Sequence, residues 1–329
     1  MFLRYVPLLL LALAAQAETF SFGLWGDMPY AKAGDASHMQ ALIDSMNRSD
    51  IAFSIYDGDI KDGSSLCTDE VFDQALNLFG QLKQPMVYVP GDNEWTDCHR
   101  SNNGGYDNLE RLARLRQKMF PTLASLGKRT LALMHQGKLG EPYVENTRFI
   151  HKGIVFVGLN IPGSNNNLVL DSKDCSHKSA RTPNQCEADN AEYRERDVAN
   201  IEWLKEAFQL ARERKLRGLV MVFQADPGFD LPETEDVDES LAPHYQGYRN
   251  FIKQVVAEAE QYQGQVLLVH GDTHFFKLDK PLYSPTRVLP NLTRLQTFGS
   301  PLIHWVRVTV DGRDPNVFTV HPVMVKQTD

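Results

Sequence analysis

The stretch "VYVPGDNEW", residues 87–95, is a run of β-formers that stops at Pro90-Gly91 and delivers two carboxylates, Asp92 and Glu94, on either side of Asn93. A buried strand that ends on acids needs a reason, and the rest of the chain repeats the pattern. "TFSFGLWGD" (19–27) ends at Asp27, "IAFSIYDGD" (51–59) at Asp59, "GLVMVFQAD" (218–226) at Asp226 and "QVLLVHGD" (265–272) at Asp272. One terminal Asp is ordinarily a cap or turn residue. Several at one sheet edge are different. Ligands of open α/β sheets gather outside the carboxyl ends of the strands, and carboxylates brought together there repel one another. A hard cation with oxygen ligands is the economical counter-charge.

Between these runs lie helical patterns at 37–47, 69–82, about 190–214 and about 247–261, with further strands at 85–92 and 153–160. Such alternation predicts an α/β fold layered around a largely buried sheet. The end of the chain, "RLQTFGS", "HWVRVTVDG" and "NVFTVHPV", reads as short antiparallel strands. "DSKDCSHKSARTPNQCEADN" reads as a polar insertion near 165–190 inside one domain spanning 18–329.

The first 17 residues, "MFLRYVPLLLLALAAQA", have an early Arg4, a short apolar core and an Ala15-Gln16-Ala17 ending. They predict a secretory signal peptide and an exported protein, periplasmic or secreted. No later run is long enough to span a bilayer. The formal net charge of −8 becomes −9 without Arg4, and this acidic balance argues against a nucleic-acid scaffold. Export permits disulfides among Cys67, Cys98, Cys175 and Cys186. Three pairings are open. The 175–186 spacing favours a local bridge, which leaves Cys67 with Cys98, and no C-x-x-C spacing suggests a zinc site.

The order of motifs resembles the calcineurin-like metallophosphoesterase family, over about residues 20–325. That family shows D-x-H, G-D-x-x-D, G-N-H-[D/E], a lone His after a strand, and G-H-x-H. The matching stretches here are "GDMPY" (26–30), "GDIKD" (58–62), "GDNE" (91–94), "VFQADPGF" (222–229) and "GDTH" (271–274). The resemblance implies a four-layer α/β/β/α sandwich. It also implies a metal set of Asp27, Asp59, Asp92, Gln224, Asp272 and His274, with Asp59 bridging. Asp92 stands at the family's Asn, Gln224 at its lone His and Asp272 at the first His of its last motif. Pro29 stands at the D-x-H histidine and cannot ligate, leaving its neighbour Tyr30 as a possible substitute.

Asn93 stands where the family keeps its catalytic His, and it cannot transfer a proton as His does. His99 and Arg100, just past the motif, are the candidate replacements, brought near by a Cys67–Cys98 bridge. So carboxylate-rich a site favours one or two ions of manganese, magnesium, calcium or iron over zinc. The implied activity is hydrolysis of phosphate mono- or diesters, a metal-bound hydroxide attacking phosphorus, on a small phosphorylated substrate. The alternative is a non-catalytic member that binds a metal or ligand. Asn160, Ser164 and Asn165 read as turn chemistry that could also line a pocket. His270 reads as a core histidine or a compensating ligand, and Arg294 and His304 are weaker candidates.

Overall fold

The computed structural model describes residues 19–229, 239–284 and 287–326; the signal-peptide reading of 1–17 lies outside them. Strands are numbered in chain order. β1 (Phe20–Trp25), β2 (Ser54–Tyr56) and β3 (Met86–Tyr88) are parallel neighbours. β13 (Trp305–Val310) adds antiparallel to β1 and β14 (Phe318–Val323) antiparallel to β13, giving a five-stranded sheet ordered β14-β13-β1-β2-β3. The facing sheet has seven strands: β4 (Met134–His135), β5 (Thr147–His151), β6 (Ile154–Gly158), β7 (Gly218–Val222), β8 (Gln265–His270), β9 (Lys277–Asp279) and β12 (Leu292–Gln296). Their order is β4-β5-β6-β7-β8-β12-β9, and a two-residue hairpin, β10 (Tyr283–Ser284) with β11 (Arg287–Val288), stands apart. β12 runs antiparallel to β9 but parallel to β8, so the expected antiparallel ending holds for β13 and β14 and on one side only for β12. The reason is the connection: β9 and the hairpin intervene, and the returning strand enters between β8 and β9.

Period-two alternation sets the layers. Phe156, Val220, Val222, Leu267 and Val269 share one apolar cluster with Phe20, Phe22 and Phe53 of the other sheet. The rings interlock edge to face, Phe22 on Phe156 at 5.1 Å and Phe53 on Phe156 at 5.0 Å. Burying each such ring contributes about 1.5–3 kcal/mol. Val155, Val157, Leu219, Met221 and Leu268 turn the other way, under Trp203, Leu204, Phe208, Phe251 and Val255. Those five come from helices α4 (Pro183–Glu213) and α5 (Arg249–Gln261). Helices α1 (Asp35–Arg48), α2 (Asp69–Phe79) and α3 (Asn108–Met119) pack with the five-stranded sheet's cluster. The result is the expected α/β/β/α sandwich.

Helix α4 begins inside the predicted insertion, earlier than position 190, because Thr182 and Gln185 cap each other and Pro183 occupies the first turn. Two disulfides form, Cys67–Cys98 and Cys175–Cys186. Among the described residues no helix is long and apolar enough to cross a membrane.

Candidate metal centre

Each acid of the predicted set follows a strand that ends at the same edge. Asp27 lies two residues beyond β1, Asp59 three beyond β2, Asp92 four beyond β3, and Asp272 two beyond β8. Gln224 lies two residues beyond β7. Asp27, Asp59, Asp272 and His274 all have positive φ, at 51°, 62°, 73° and 69°. Left-handed backbone at non-glycine residues is strain of the kind found at functional sites. The glycines of the repeated Gly-Asp pairs explain themselves here. A Cβ on Gly91 would lie 2.1 Å from Asp59 Oδ1, and one on Gly271 would lie 2.0 Å from Asp27 Oδ2.

The carboxylates are joined by neutral donors. The Asp272 amide donates to Asp27 Oδ1 and Oδ2 at 3.2 and 3.1 Å. The Asn93 amide donates to Asp59 Oδ1 at 3.1 Å, and its Nδ2 to Asp59 Oδ2 at 2.5 Å. Gln224 Nε2 spans Asp92 Oδ1 at 3.2 Å and Asp272 Oδ1 at 3.4 Å. The Tyr30 hydroxyl lies 3.1 Å from Asp59 Oδ2 and 3.0 Å from His274 Nε2, its one proton within reach of either acceptor. Asp272 also accepts the Asp226 amide at 3.0 Å. Burial, then repulsion from Asp57 and Asp272, pushes the Asp27 carboxyl well above its usual range. Burial followed by Asp92 does the same to Asp59 and to Asp272. The buried Lys61 ammonium spends its donors on the Asp62 and Asn93 carbonyls, and burial lowers its pKa.

Two observations fit a cation. The first is this acidic set without a bonded lysine or arginine among the described pairs. The second is His274: its Nδ1 faces the Ser300 carbonyl at 2.7 Å, which assigns the proton there and leaves the Nε2 lone pair toward the centre, 3.7 Å from Asp27 Oδ1. Histidine ligands are commonly oriented through such a bond. One observation does not fit. Among the described residues no three His, Cys, Asp or Glu side chains stand arranged to grip an ion. Amide N–H groups and the Tyr30 hydroxyl occupy the oxygens instead. Gln224 is fixed this way because its Oε1 accepts the Gly163 amide at 2.5 Å, so its NH₂ must face the acids. As oriented, Gln224 bonds the carboxylates and offers no oxygen to a metal.

The three candidate catalytic residues part company. Asn93 is in the cluster. Arg100 reaches its rim, with Nη2 donating to Ser164 Oγ at 3.1 Å and Nη1 on Asp97 Oδ2 at 2.5 Å. His99 makes no hydrogen bond to the cluster. It lines a neighbouring cavity of about 190 Å³ with Arg100, His177 and Arg181. Burial, then Arg181 and Arg100, lowers its pKa to about 3, so it is neutral at working pH and holds no proton to give.

Glu94 and Asp97 have no role in the sequence pattern, and Ser164 reads there as turn chemistry that could also line a pocket. Glu94 Oε1 accepts from Tyr88 Oη at 2.7 Å, Gly91 N at 2.8 Å and Asp59 N at 3.2 Å, tying the loops after β2 and β3 together. The pair of acids in "GDNE" was the available signal. Asn160 lies away from the acids, its Nδ2 donating to Glu145 Oε1 at 3.0 Å. His270 is fully buried beside Phe223 and Phe229, as a core residue.

Two facing sheets that bring Asp27, Asp59, Asp92, Asp272 and His274 to one end have the fold of the calcineurin-like metallophosphoesterases. Among solved structures, the chain is similar to PhoD, with a TM-score of 0.58 and 11% identity over 94% of this chain and 69% of that one. It is similar also to the purple acid phosphatase PPD1 from yellow lupin (Lupinus luteus) seeds, with a TM-score of 0.50 and 12% identity over 94% and 54% of the two chains. At such identities the likeness is one of fold. No protein-family model matches the chain, and no curated protein does.

Proposed function

We propose that this protein is an exported, metal-dependent hydrolase of small phosphate esters. The observation that carries the reading is a largely buried chain of four carboxylates. Asp272 is joined to Asp27 through its amide and to Asp92 through Gln224, Asp59 is reached through Tyr30, and His274 Nε2 lies 3.7 Å from Asp27 Oδ1. Asp27, Asp59, Asp92, Asp272 and His274 would hold one or two divalent ions. Such ions, when bound, supply the field that neutralises these acids and polarises a phosphoryl oxygen. Gln224 stays a donor that spaces Asp92 from Asp272. Arg100 reaches the rim from which a phosphoryl group would enter, and the Asn93 amide can donate to a phosphoryl oxygen. A pocket of about 630 Å³, walled by Tyr30, Met28, Ile60 and Phe79, adjoins the centre and has room for the ester's organic group.

The centre has no evident proton donor. Asn93 has no acidic proton, His99 is neutral, and burial with nearby Asp59 holds the Tyr30 hydroxyl protonated. A departing oxygen would take its proton from water, which favours esters with acidic leaving groups. The two disulfides are compatible with an oxidising compartment. A second reading, a non-catalytic member of the fold, draws support from the two amide groups that already solvate the acids. The deciding experiment treats the mature protein with chelator, then adds manganese, magnesium, calcium, iron or zinc, and follows melting temperature with turnover of aryl and alkyl phosphate mono- and diesters. Cation-dependent stabilisation with aryl-ester turnover is expected. Stabilisation without turnover selects the second reading, and neither effect removes the metal centre altogether.

A further inference from the structure

Four consecutive residues after β6, Ser164 to Asn167, have positive φ, at 51°, 55°, 58° and 65°. A left-handed turn of non-glycine residues costs about 1–2 kcal/mol per residue. Three of the four are Asn, whose side chain eases that conformation; Ser164 is the exception. The turn is held from outside. Fully buried Arg196 donates to Asn166 Oδ1 at 2.5 Å and to the Asn166 carbonyl at 3.0 Å. Tyr248 Oη accepts from the Asn166 amide at 3.1 Å, and the Gly247 amide donates to Asn165 Oδ1 at 2.8 Å.

This scaffolding sets one hydroxyl. Ser164 is exposed to solvent, on the wall of the 190 Å³ cavity, yet its Oγ lies 2.7 Å from Asp97 Oδ1 and 2.9 Å from Asp92 Oδ2. Arg100 donates one nitrogen to Ser164 Oγ and another to Asp97 Oδ2. A hydroxyl beside a carboxylate, with the carboxylate oriented by a third group, is the arrangement of an activated nucleophile. A strained turn that exposes a serine after a strand serves the same end in other hydrolases.

We infer that Ser164 is the nucleophile of this centre and carries the phosphoryl group on its Oγ during turnover. The inference rests on the phosphoester reading, and it puts a side-chain oxygen in place of the metal-bound hydroxide that the family resemblance implies. In the first step a lone pair of Oγ forms a bond to phosphorus and the bond from phosphorus to the ester oxygen breaks. The Oγ proton passes to Asp97, and the leaving oxygen takes a proton from water. In the second step a water oxygen attacks phosphorus and the phosphorus–Oγ bond breaks. Asp97 then returns its proton to Oγ, and the attacking water releases one to solvent. Arg100 accompanies the group through both steps as a donor to its oxygens.

Stereochemistry at phosphorus tests this on the full mature protein. With a chiral phosphorothioate ester, two displacements retain configuration and one inverts it. Retention, with a phosphoryl adduct on the Ser164 peptide after rapid acid quench, is expected; inversion overturns the inference. Ser164→Gly keeps the left-handed turn and removes the hydroxyl. It should lose the adduct and lower kcat by roughly 10²–10⁴, while its melting temperature still responds to manganese. Turnover within about threefold of the parent overturns the inference. If the parent turns over no ester, a fluorophosphonate probe decides: labelling of Ser164 keeps the nucleophile and discards the phosphoesterase reading, and no labelling discards both.

Discussion

Asp59 and Asp272 hold corresponding places at the ends of strands in facing sheets, but they are secured differently. Asp59 is 2% exposed, its carboxylate takes donors from Asn93 and Tyr30, and its own amide is gripped by Glu94. Asp272 is partly exposed and is held by the Asp226 amide at 3.0 Å and by Gln224 at 3.4 Å. Glu94 and the Cys67–Cys98 bridge link the loops after β2 and β3. The loop after β8 is tied by hydrogen bonds instead, through the Asp272 amide to Asp27 and through His274 to the Ser300 carbonyl, and carries no disulfide. The five-stranded sheet therefore supplies a half of the centre fixed by a disulfide and a buried carboxylate, and the seven-stranded sheet a more adjustable one, held by hydrogen bonds alone. An ion can be met by movement of the Asp272 carboxylate, while Gln224 stays held by the Gly163 amide and Asp59 is undisturbed.

The largest test of this contrast is Glu94→Ala. It leaves the Asp59 and Gly91 amides and the Tyr88 hydroxyl buried without their acceptor, at about 1–3 kcal/mol each. Denaturant unfolding should show a loss of several kcal/mol, whereas Asp226→Ala, beside the adjustable half, removes the acceptor of the Gly228 and Phe229 amides and should cost less, about 1–3 kcal/mol. A comparable loss in both would erase the distinction.

A smaller effect separates the acids themselves. The folded pKa values of Asp59 and Asp272 are raised, chiefly by burial. Between the ordinary value near 3.9 and the raised one, the folded state holds protons that the unfolded chain has released. Stability of the metal-free protein is therefore greatest at low pH in this window and falls as pH rises through it. Melting temperature should rise on going from about pH 8 to about pH 5, and saturating manganese should flatten the profile. Asp59→Asn should flatten it more than Asp272→Asn does, because the fixed half cannot relax. Equal flattening would show that both halves relax alike.

The disulfides give the smallest contrast. They close loops of 31 and 11 residues, which chain entropy converts to about 3.7 and about 2.8 kcal/mol. Replacing both cysteines of the Cys67–Cys98 pair by Ser should cost about 1 kcal/mol more than doing so at Cys175 and Cys186. Only the first replacement should weaken the manganese response, and the reverse order would detach the bridge from the centre.

The fixed half was the more legible. Runs such as "VYVPGDNEW" announce a strand, a close backbone approach and an acid, all in local order. The left-handed turn was less so, because its cause lies in Arg196 and Tyr248, far along the chain. "SNNN" did carry the signal, since Asn runs tolerate positive φ, but it read as ordinary turn chemistry. Helix α3 escaped because its sequence, "NLERLARLRQKM", is mostly polar, although Asp107 caps it. The direction of β12 depends on where a returning strand finds room, and no local pattern records that. The orientation of the Gln224 amide depends on one backbone N–H, that of Gly163.

The pairing of Asn166 with Arg196 has a practical side. It closes the chain between them into a ring, with the Cys175–Cys186 loop inside. Asp171, Ser172 and Lys173 lie on the outer, exposed arc of that ring. Extra residues placed there would lengthen the arc while both ends stay clasped. That arc is accordingly where a tag, a fluorophore or a tether to a surface can be attached to a working centre.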